Sequence, residues 1–254
     1  MRPPRVIFIF VLTLVFCSTL TAQQAPQRDP QAVAVALQSY SLMASAAPYV
    51  QDAVAEGQMQ WADGTSGKIV FKGKGRDRLR HEITRPSGEL TYVISQGKGF
   101  SLRDGKREQL PLWVTAYQRP AFIPAFFRLV DYARPETKLT YLGAVEVAGR
   151  PAHHIRISAL PKDGTPPEIE ELISEYHVFI DFQTLLPVKT ITFDFSPEII
   201  ENRTPVETYF SDFRSVGGLL IPYRITRYIW GQKDSDITLT NVRLNVGLSD
   251  GDFQ

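Results

Sequence analysis

Cysteine is almost absent from this chain of 254 residues, because its single cysteine, Cys17, lies in the apolar N-terminal segment. Downstream of that segment, disulfides, zinc–thiolate sites and cysteine nucleophiles are therefore excluded. An excess of charge is also missing, since 28 lysines and arginines oppose 27 aspartates and glutamates, for a net charge of +1. This balance argues against nucleic acid as a partner and gives no electrostatic reason to bind anionic membranes.

The first 22 residues have the three parts of a secretory signal peptide. A basic start, "MRPPR", precedes the apolar run "VIFIFVLTLVF", and the small residues of "STLTA" follow. We expect cleavage after Ala22, the alternative being an uncleaved anchor. Lipidation of Cys17 is not expected, because bulky Phe16 precedes it where lipoprotein signals carry a small residue. The prediction is a signal peptide over 1–22 and a single domain over 23–254, periplasmic or secreted.

A helix is predicted for the segment "RDPQAVAVALQSYSLMASAAP". Asp29 is suited to cap it, Pro30 suits its first turn, and Pro48 stops it. Apolar residues at three- and four-residue steps predict one buried stripe, made of Val33, Leu37, Tyr40, Ala44 and Ala47.

From Val54 onward the hydrophobic period changes to two, and short apolar runs alternate with turn sequences such as "ADGTSG", "RPSG", "QGKG" and "RDGK". This spacing is typical of an antiparallel meander. The chain is thus predicted to be mainly β with helices (α+β), with roughly ten or eleven strands, and a sheet of that size curls or closes. We find no tandem repeat, low-complexity tract or linker.

A second helix is predicted at 124–133, within "LPLWVTAYQRPAFIPAFFRLVDYARPE". Phe126, Phe127, Leu129 and Val130 make it apolar over most of its circumference, so that it must be covered on several sides. The pattern therefore favours a helix held inside a curved sheet.

The stretch "DFRSVGGLLIPYRITRYIW" predicts two strands joined at a glycine pair, and its loop length decides which residues share a face. A three-residue loop, 216–218, is favoured because it separates Asp212 and Arg214 from the apolar side chains. That loop places six residues on one face: Tyr209, Phe213, Ile221, Tyr223, Ile225 and Ile229. A two-residue Gly-Gly loop would instead group Phe210 with Tyr223 and Ile225.

The C-terminal part of the chain resembles the lipoprotein-sorting (LolA-like) superfamily of the outer membrane. The segment "YFSDFRSVGGLLIPYRITRYIWGQKDSDITLTNVRLNVGLSDGDF" is similar to the end of those proteins, and "IDFQTLLPVK" is similar to the turn before it. The order of elements also matches: signal peptide, N-terminal helix, meander, central helix, meander.

The resemblance implies an incomplete antiparallel β-barrel with the N-terminal and central helices packed in or against its concave face. It also implies a non-enzymatic periplasmic binder or carrier, whose partner is a lipid, an acyl chain or a lipoprotein. We expect a monomer. The candidate cavity-lining residues are Phe126, Phe127, Tyr209, Phe213, Tyr223 and Ile225, although the same residues suit an ordinary closed core. The alternatives are an envelope protein–protein interaction module with a closed cavity and, third, an enzyme on the same fold.

The sequence gives little sign of catalytic or metal chemistry. His153 and His154 are neighbours on a strand and so point to opposite faces, which is poor geometry for a shared metal. His177 lacks a recognisable third ligand. No phosphate-binding glycine loop and no G-x-S-x-G motif occurs. We therefore predict no metal, no cofactor and no catalytic residues.

Overall fold

The computed structural model of the protein describes residues 28–75, 77–111, 137–159, 166–195 and 202–254. Two predictions lie outside these ranges: the signal peptide over 1–22 and the central helix at 124–133, which carries Phe126 and Phe127. Within the described ranges no helix combines the length and the apolar character needed to cross a membrane.

Thirteen strands of the described residues form one antiparallel sheet in the order β6-β5-β4-β3-β2-β1-β13-β12-β11-β10-β9-β8-β7. The predicted fold class is confirmed, since this sheet is curved, unclosed and accompanied by helices. The count exceeds ten or eleven in part because the charged edge strand β6 has no apolar alternation. The strands are β1 Asp52–Trp61, β2 Ser66–Lys74, β3 Arg78–Arg85, β4 Gly88–Ser95, β5 Lys98–Arg103, β6 Lys106–Gln109, β7 Thr137–Val147, β8 Arg150–Ala159, β9 Tyr176–Asp181, β10 Pro187–Phe195, β11 Arg203–Val216, β12 Leu219–Ile229 and β13 Gln232–Leu244.

Helix α1 spans Pro30–Ala44 and begins as predicted. The Asp29 carboxylate accepts hydrogen bonds from the backbone N–H groups of Gln31 and Ala32, at 2.8 and 3.5 Å. The backbone N–H of Asp29 donates to the carbonyl of Leu139 at 3.0 Å, which fixes the start of the helix on edge strand β7. One residue thus caps the helix and attaches it to the sheet.

The predicted stripe of α1 is wrong at Leu37, which is 44% exposed. The helix instead turns small and flexible side chains toward the sheet, because it lies close against β12 and β7. We call the sheet face that packs on α1 the core face, and the opposite one the outer face. The buried residues of α1 are Ala32, Val35, Ala36, Ser39, Met43 and Ala44.

The turn between β11 and β12 has two residues, so that the favoured three-residue loop is wrong. Val216 pairs with Leu219, and Gly217 and Gly218 have φ values of 56° and 83°, the left-handed conformation of a type I′ turn. Asp212 has φ 54°, the left-handed conformation, but the register is the same on both sides of it, with Ser211 paired to Arg224 and Phe213 to Pro222.

The C-terminal tail is held by Asp52, which is buried at the start of β1. Its carboxylate accepts backbone N–H groups from Val246, Gly247 and Leu248, at 2.7, 3.0 and 3.0 Å. Further on, Phe253 packs with Val93 and Phe100 in a small cluster of its own. The end motif of the resemblance therefore anchors the tail to the β1–β6 half of the sheet.

A second helix, α2, spans Pro167–Ser174 and packs against β8. It corresponds to the acidic segment "PPEIEELI". The Ser174 hydroxyl accepts a hydrogen bond from the backbone N–H of Ala159 at 2.8 Å and so joins the end of α2 to the end of β8.

Candidate ligand-binding face

The core face is closed where it lies between β12 and β7, the two strands that contact α1. Its side chains there are almost entirely removed from solvent, as expected for a packed interior. The most deeply buried are Leu139, Ile155, Ile157, Tyr176, Val178 and Ile180, none of them more than 2% exposed.

The core face of the first meander is more open. Phe71 on β2 pairs with His81 on β3, and His81 pairs with Tyr92 on β4, so these three rings share the core face. Phe71 is buried, while His81, Tyr92 and the neighbouring Ile83 keep part of their surface accessible. The result is an apolar surface with aromatic edges that α1 does not cover, and it is the candidate ligand-binding face.

Two polar residues, Arg227 and Ser235, interrupt this face. Arg227 pairs with Ser235 opposite Trp61, which places all three on the core face. Ser235 is fully buried, and the Arg227 side chain is 36% exposed. The Arg227 guanidinium lies 3.9 Å from a carboxylate oxygen of Asp234, which makes a loose ion pair.

Burial, and to a smaller extent the positive charge of Arg227, lower the pKa of His81 to about 3. The influence of Arg227 on His81 places a cation within electrostatic range of the first meander. His81 itself is a neutral ring at physiological pH, in edge contact with Phe71 at a centroid distance of 4.6 Å. The candidate face therefore carries the positive charge of Arg227 beside neutral and apolar groups.

The predicted lining residues do not form one group. Tyr223 and Ile225 lie on the core face and are 8% and 4% exposed, together with Phe210, which pairs with Ile225. Tyr209 points to the outer face and packs against the cluster of Val147, Ala152 and Phe179. The predicted common face for Tyr209, Tyr223 and Ile225 is thus wrong, because the turn is one residue shorter than expected.

Phe213 pairs with Pro222 and packs, half-buried, at the margin of the main core. Arg214 is the next residue of β11. This guanidinium lies 4.3 Å from the ring centre of Tyr223 and is held by the Asp212 carboxylate at 2.6 and 3.1 Å. A charged group therefore borders the Gly-Gly end of the core face.

The histidines separate as the alternation predicts. His153 faces the core side, where its Nδ1 lies 3.0 Å from the Tyr141 hydroxyl and its ring stacks on Phe182. His154 and His177 instead meet on the outer face, their rings joined by a hydrogen bond of 2.7 Å. Across the part of the chain that the structure describes, no three histidine, cysteine, aspartate or glutamate side chains are grouped as a metal would require.

Comparison with known proteins finds similarity in structure only. No protein-family model matches the chain, and neither does a curated protein. Among solved structures, a putative outer membrane lipoprotein-sorting protein domain from Vibrio parahaemolyticus aligns with a TM-score of 0.55 and 10% identity, over 88% of this chain and 96% of that one.

Two further solved structures give the same result. A LolA superfamily protein from Nitrosomonas europaea aligns with a TM-score of 0.53 and 13% identity, over 88% of this chain and 97% of its own. A DUF1329 family protein from Desulfovibrio piger aligns with a TM-score of 0.56 and 15% identity, over 90% and 98%. The open antiparallel sheet with α1 across its core face is therefore a LolA-like fold.

Proposed function

We propose that this protein is an exported, periplasmic binder or carrier of a lipid or a lipid-modified protein, which takes apolar chains on the core face of its half-barrel. The observation that carries the proposal is the contrast within that face. The half under α1 is closed, whereas Ile83, Tyr92 and His81 of the first meander remain partly accessible on an otherwise apolar surface. The likeness to a lipoprotein-sorting domain supports the same reading at the level of fold.

Burial of hydrocarbon supplies the binding energy. Each methylene group moved from water onto an apolar surface contributes about 0.8 kcal/mol. A chain of roughly ten carbons therefore contributes several kcal/mol without any polar contact, even after the cost of ordering it. The predicted lining residues Tyr223 and Ile225 would be reached at the end of this surface nearest α1.

Arg227 gives the proposal a chemical preference. Its guanidinium lies on the core face, is partly accessible and forms a loose ion pair with Asp234, at 3.9 Å. Such a group forms charge-assisted hydrogen bonds with a phosphate or carboxylate. We therefore expect the ligand to be an anionic amphiphile, with its head group at Arg227 and its chain against the first meander.

The first experiment is native mass spectrometry, with solvent extraction, of residues 23–254 purified from the periplasm. A stoichiometric lipid adduct that is lost on denaturation would support a carrier and identify the class of its ligand. A clean apo mass that stays unchanged after incubation with a lipid extract would overturn the proposal. In that case a protein partner recovered from envelope extracts would favour the interaction module.

Two matched pairs of variants locate the site. Tyr92→Asp places a charge on the core face of β4, and Thr91→Asp places the same charge on its outer face. Only Tyr92→Asp should abolish uptake of a fluorescent fatty acid, with both variants folded by circular dichroism. Equal uptake by Tyr92→Asp and the unmodified protein would mean that the first meander is not part of the binding site.

The second pair tests the head-group contact. Arg227→Gln removes the core-face guanidinium, and Arg243→Gln removes an arginine that pairs instead with Glu56 at 3.0 Å. Arg227→Gln should weaken binding of an anionic lipid about tenfold, the equivalent of about 1.4 kcal/mol. Arg243→Gln should leave it unchanged. Equal affinities for anionic and uncharged lipids in the unmodified protein would contradict the assigned role of Arg227.

A further inference from the structure

His154 and His177 form a pair of imidazoles on the outer face, away from the candidate ligand-binding face. His154 on β8 pairs with Phe179, and Arg156 pairs with His177, so the two histidines are diagonal neighbours on adjacent strands. Nε2 of His154 lies 2.7 Å from Nδ1 of His177. Two ring nitrogens of different histidines thus point at each other on a partly accessible surface.

A carboxylate fixes the orientation of His177. Its Nε2 lies 3.2 Å from Oε1 of Glu175, and the side chains of the two residues are 15% and 14% exposed. Arg203 holds the same carboxylate oxygen at 3.2 Å. Because an ionised carboxylate only accepts hydrogen bonds, the proton of neutral His177 lies on Nε2 and its Nδ1 is a bare acceptor. His154 then donates its Nε2 proton to that nitrogen.

Aromatic contacts restrain both rings. His154 stacks on Phe179 at a centroid distance of 4.2 Å, and His177 lies edge-on to Phe193 at 6.0 Å. A histidine that donates its second ring N–H to a carboxylate, with the ring held in place, has the usual environment of a metal-ligating histidine.

We propose that Nε2 of His154 and Nδ1 of His177 form a two-imidazole site for a divalent transition-metal ion of the copper, nickel or zinc class. Two nitrogens at about 2.0–2.1 Å from a tetrahedral ion lie roughly 3.3 Å apart, so the rings need to separate by only about half an ångström. The proton on Nε2 of His154 moves to its Nδ1, with no net gain or loss of protons. Water completes the coordination.

The charged groups around the pair set the strength of the site. Lys189 on β10 faces the same cluster, but its ammonium group is paired with Glu207 at 2.9 Å and lies 4.9 Å from the ring centre of Tyr209. Arg203 is occupied by Glu175, and Arg156 stands opposite His177. With only two protein ligands and these cations nearby, binding should be in the micromolar range. Imidazole ligands favour Cu²⁺ over Ni²⁺ and Zn²⁺, and disfavour Mg²⁺ and Ca²⁺.

The test is isothermal titration of the untagged protein, residues 23–254, with NiCl₂ and ZnSO₄, supported by Cu²⁺ electron paramagnetic resonance. We expect one saturable ion per chain and nitrogen hyperfine coupling from two imidazoles. His154→Gln and His177→Gln should each abolish the site, and Glu175→Gln should weaken it about tenfold or more. His153→Gln is the matched control. His153 is the sequence neighbour of His154 but lies on the core face, so this substitution should leave metal binding unchanged.

Either of two results would overturn the site: no saturable binding to the unmodified protein, or equal loss of binding in His153→Gln and His154→Gln. The resonance spectrum is measured on the unmodified protein. The proposal can therefore be refuted even where a substituted protein folds poorly. Lipid uptake is measured separately and does not depend on this outcome.

Discussion

The two halves of the sheet use the same kind of strand but differ in how completely their core faces are covered. In the second half, α1 crosses from β7 to β12, and residues such as Ile155 and Ile180 are fully buried. In the first half, β3 and β4 leave Ile83, His81 and Tyr92 partly exposed on the equivalent face. The difference separates a structural role from a binding role: one half has the packing of an interior, and the other presents an apolar surface.

A pair of truncations tests this contrast with the largest expected loss of stability. Ile155→Ala removes a side chain with no exposed surface and should lower the free energy of unfolding by about 2–5 kcal/mol. Ile83→Ala removes the same atoms from a partly exposed position and should cost about half as much or less. Urea denaturation at equilibrium gives both values. Equal losses would mean that the first meander is packed as tightly as the second half.

A second test concerns what attaches the C-terminal tail to the first half. Asp52→Ala leaves three backbone N–H groups without their carboxylate and should destabilise the protein by about 2–3 kcal/mol. Asp250→Ala removes an exposed carboxylate that pairs with Lys74 and Arg78, and should cost less than Asp52→Ala because solvent screens exposed ion pairs. Thermal unfolding of the two variants compares them. A larger loss from Asp250→Ala would show that the ion pairs hold the tail.

The third test uses pH, because the titratable ring of His81 lies on the core face of the first half. Its pKa in the folded protein is lowered to about 3 by burial and by the charge of Arg227, whereas an unfolded histidine has a pKa of about 6.5. The unfolded chain therefore binds one more proton between these values, and stability falls as the pH falls from about 6.5 toward 3. The slope contributed by this group is at most about 1.4 kcal/mol per pH unit.

Substitution His81→Phe keeps the ring contact with Phe71 and removes the titration. Urea midpoints measured from pH 7 to pH 4 should depend less steeply on pH in this variant than in the unmodified protein. Parallel curves would mean that His81 is protonated in the folded state at pH 4.

The smallest effect compares one turn from each half. Gly218, in the β11–β12 turn, has φ 83°, and an added Cβ would lie 3.0 Å from that of Ala46 after α1. Gly105, in the β5–β6 turn, has φ 82° and open space around it. Gly105→Ala should cost about 1 kcal/mol from backbone strain alone, and Gly218→Ala somewhat more. Differential scanning calorimetry would resolve the difference. Identical losses of stability would show that the chain at Ala46 moves to make room for the added Cβ.

Local signals in the sequence predicted the class of fold and the start of α1, because Asp29 and Pro30 act within one helical turn. The buried stripe of α1 was not predictable in the same way. Close approach to β12 and β7 favours small side chains, so that Ala36 and Ser39 are buried while Leu37 is exposed. A prediction from hydrophobicity alone places the larger residue, Leu37, in the interior.

The candidate site was predicted only in part, for two physical reasons. The two-residue turn, one residue shorter than expected, places Tyr209 on the outer face, and a turn of that length has no hydrophobic signature. Arg227 and His154 become informative only through their neighbours on other strands. Their partners, Ser235 and His177, are 8 and 23 positions away in the sequence, and the strand register that joins them follows from pairing.

The order of the strands has a consequence for the speed of folding. Every neighbouring pair in the sheet is consecutive in the chain except β1 and β13, so each meander can form by closing short loops. Joining β1 to β13 closes a loop of most of the chain, and we expect this step to limit the rate. Gly57 lies at the bulge in that ladder, where an added Cβ would come within 2.7 Å of the carbonyl oxygen of Thr238. Gly57→Ala should therefore slow refolding in stopped-flow experiments, whereas Gly105→Ala should mainly speed unfolding.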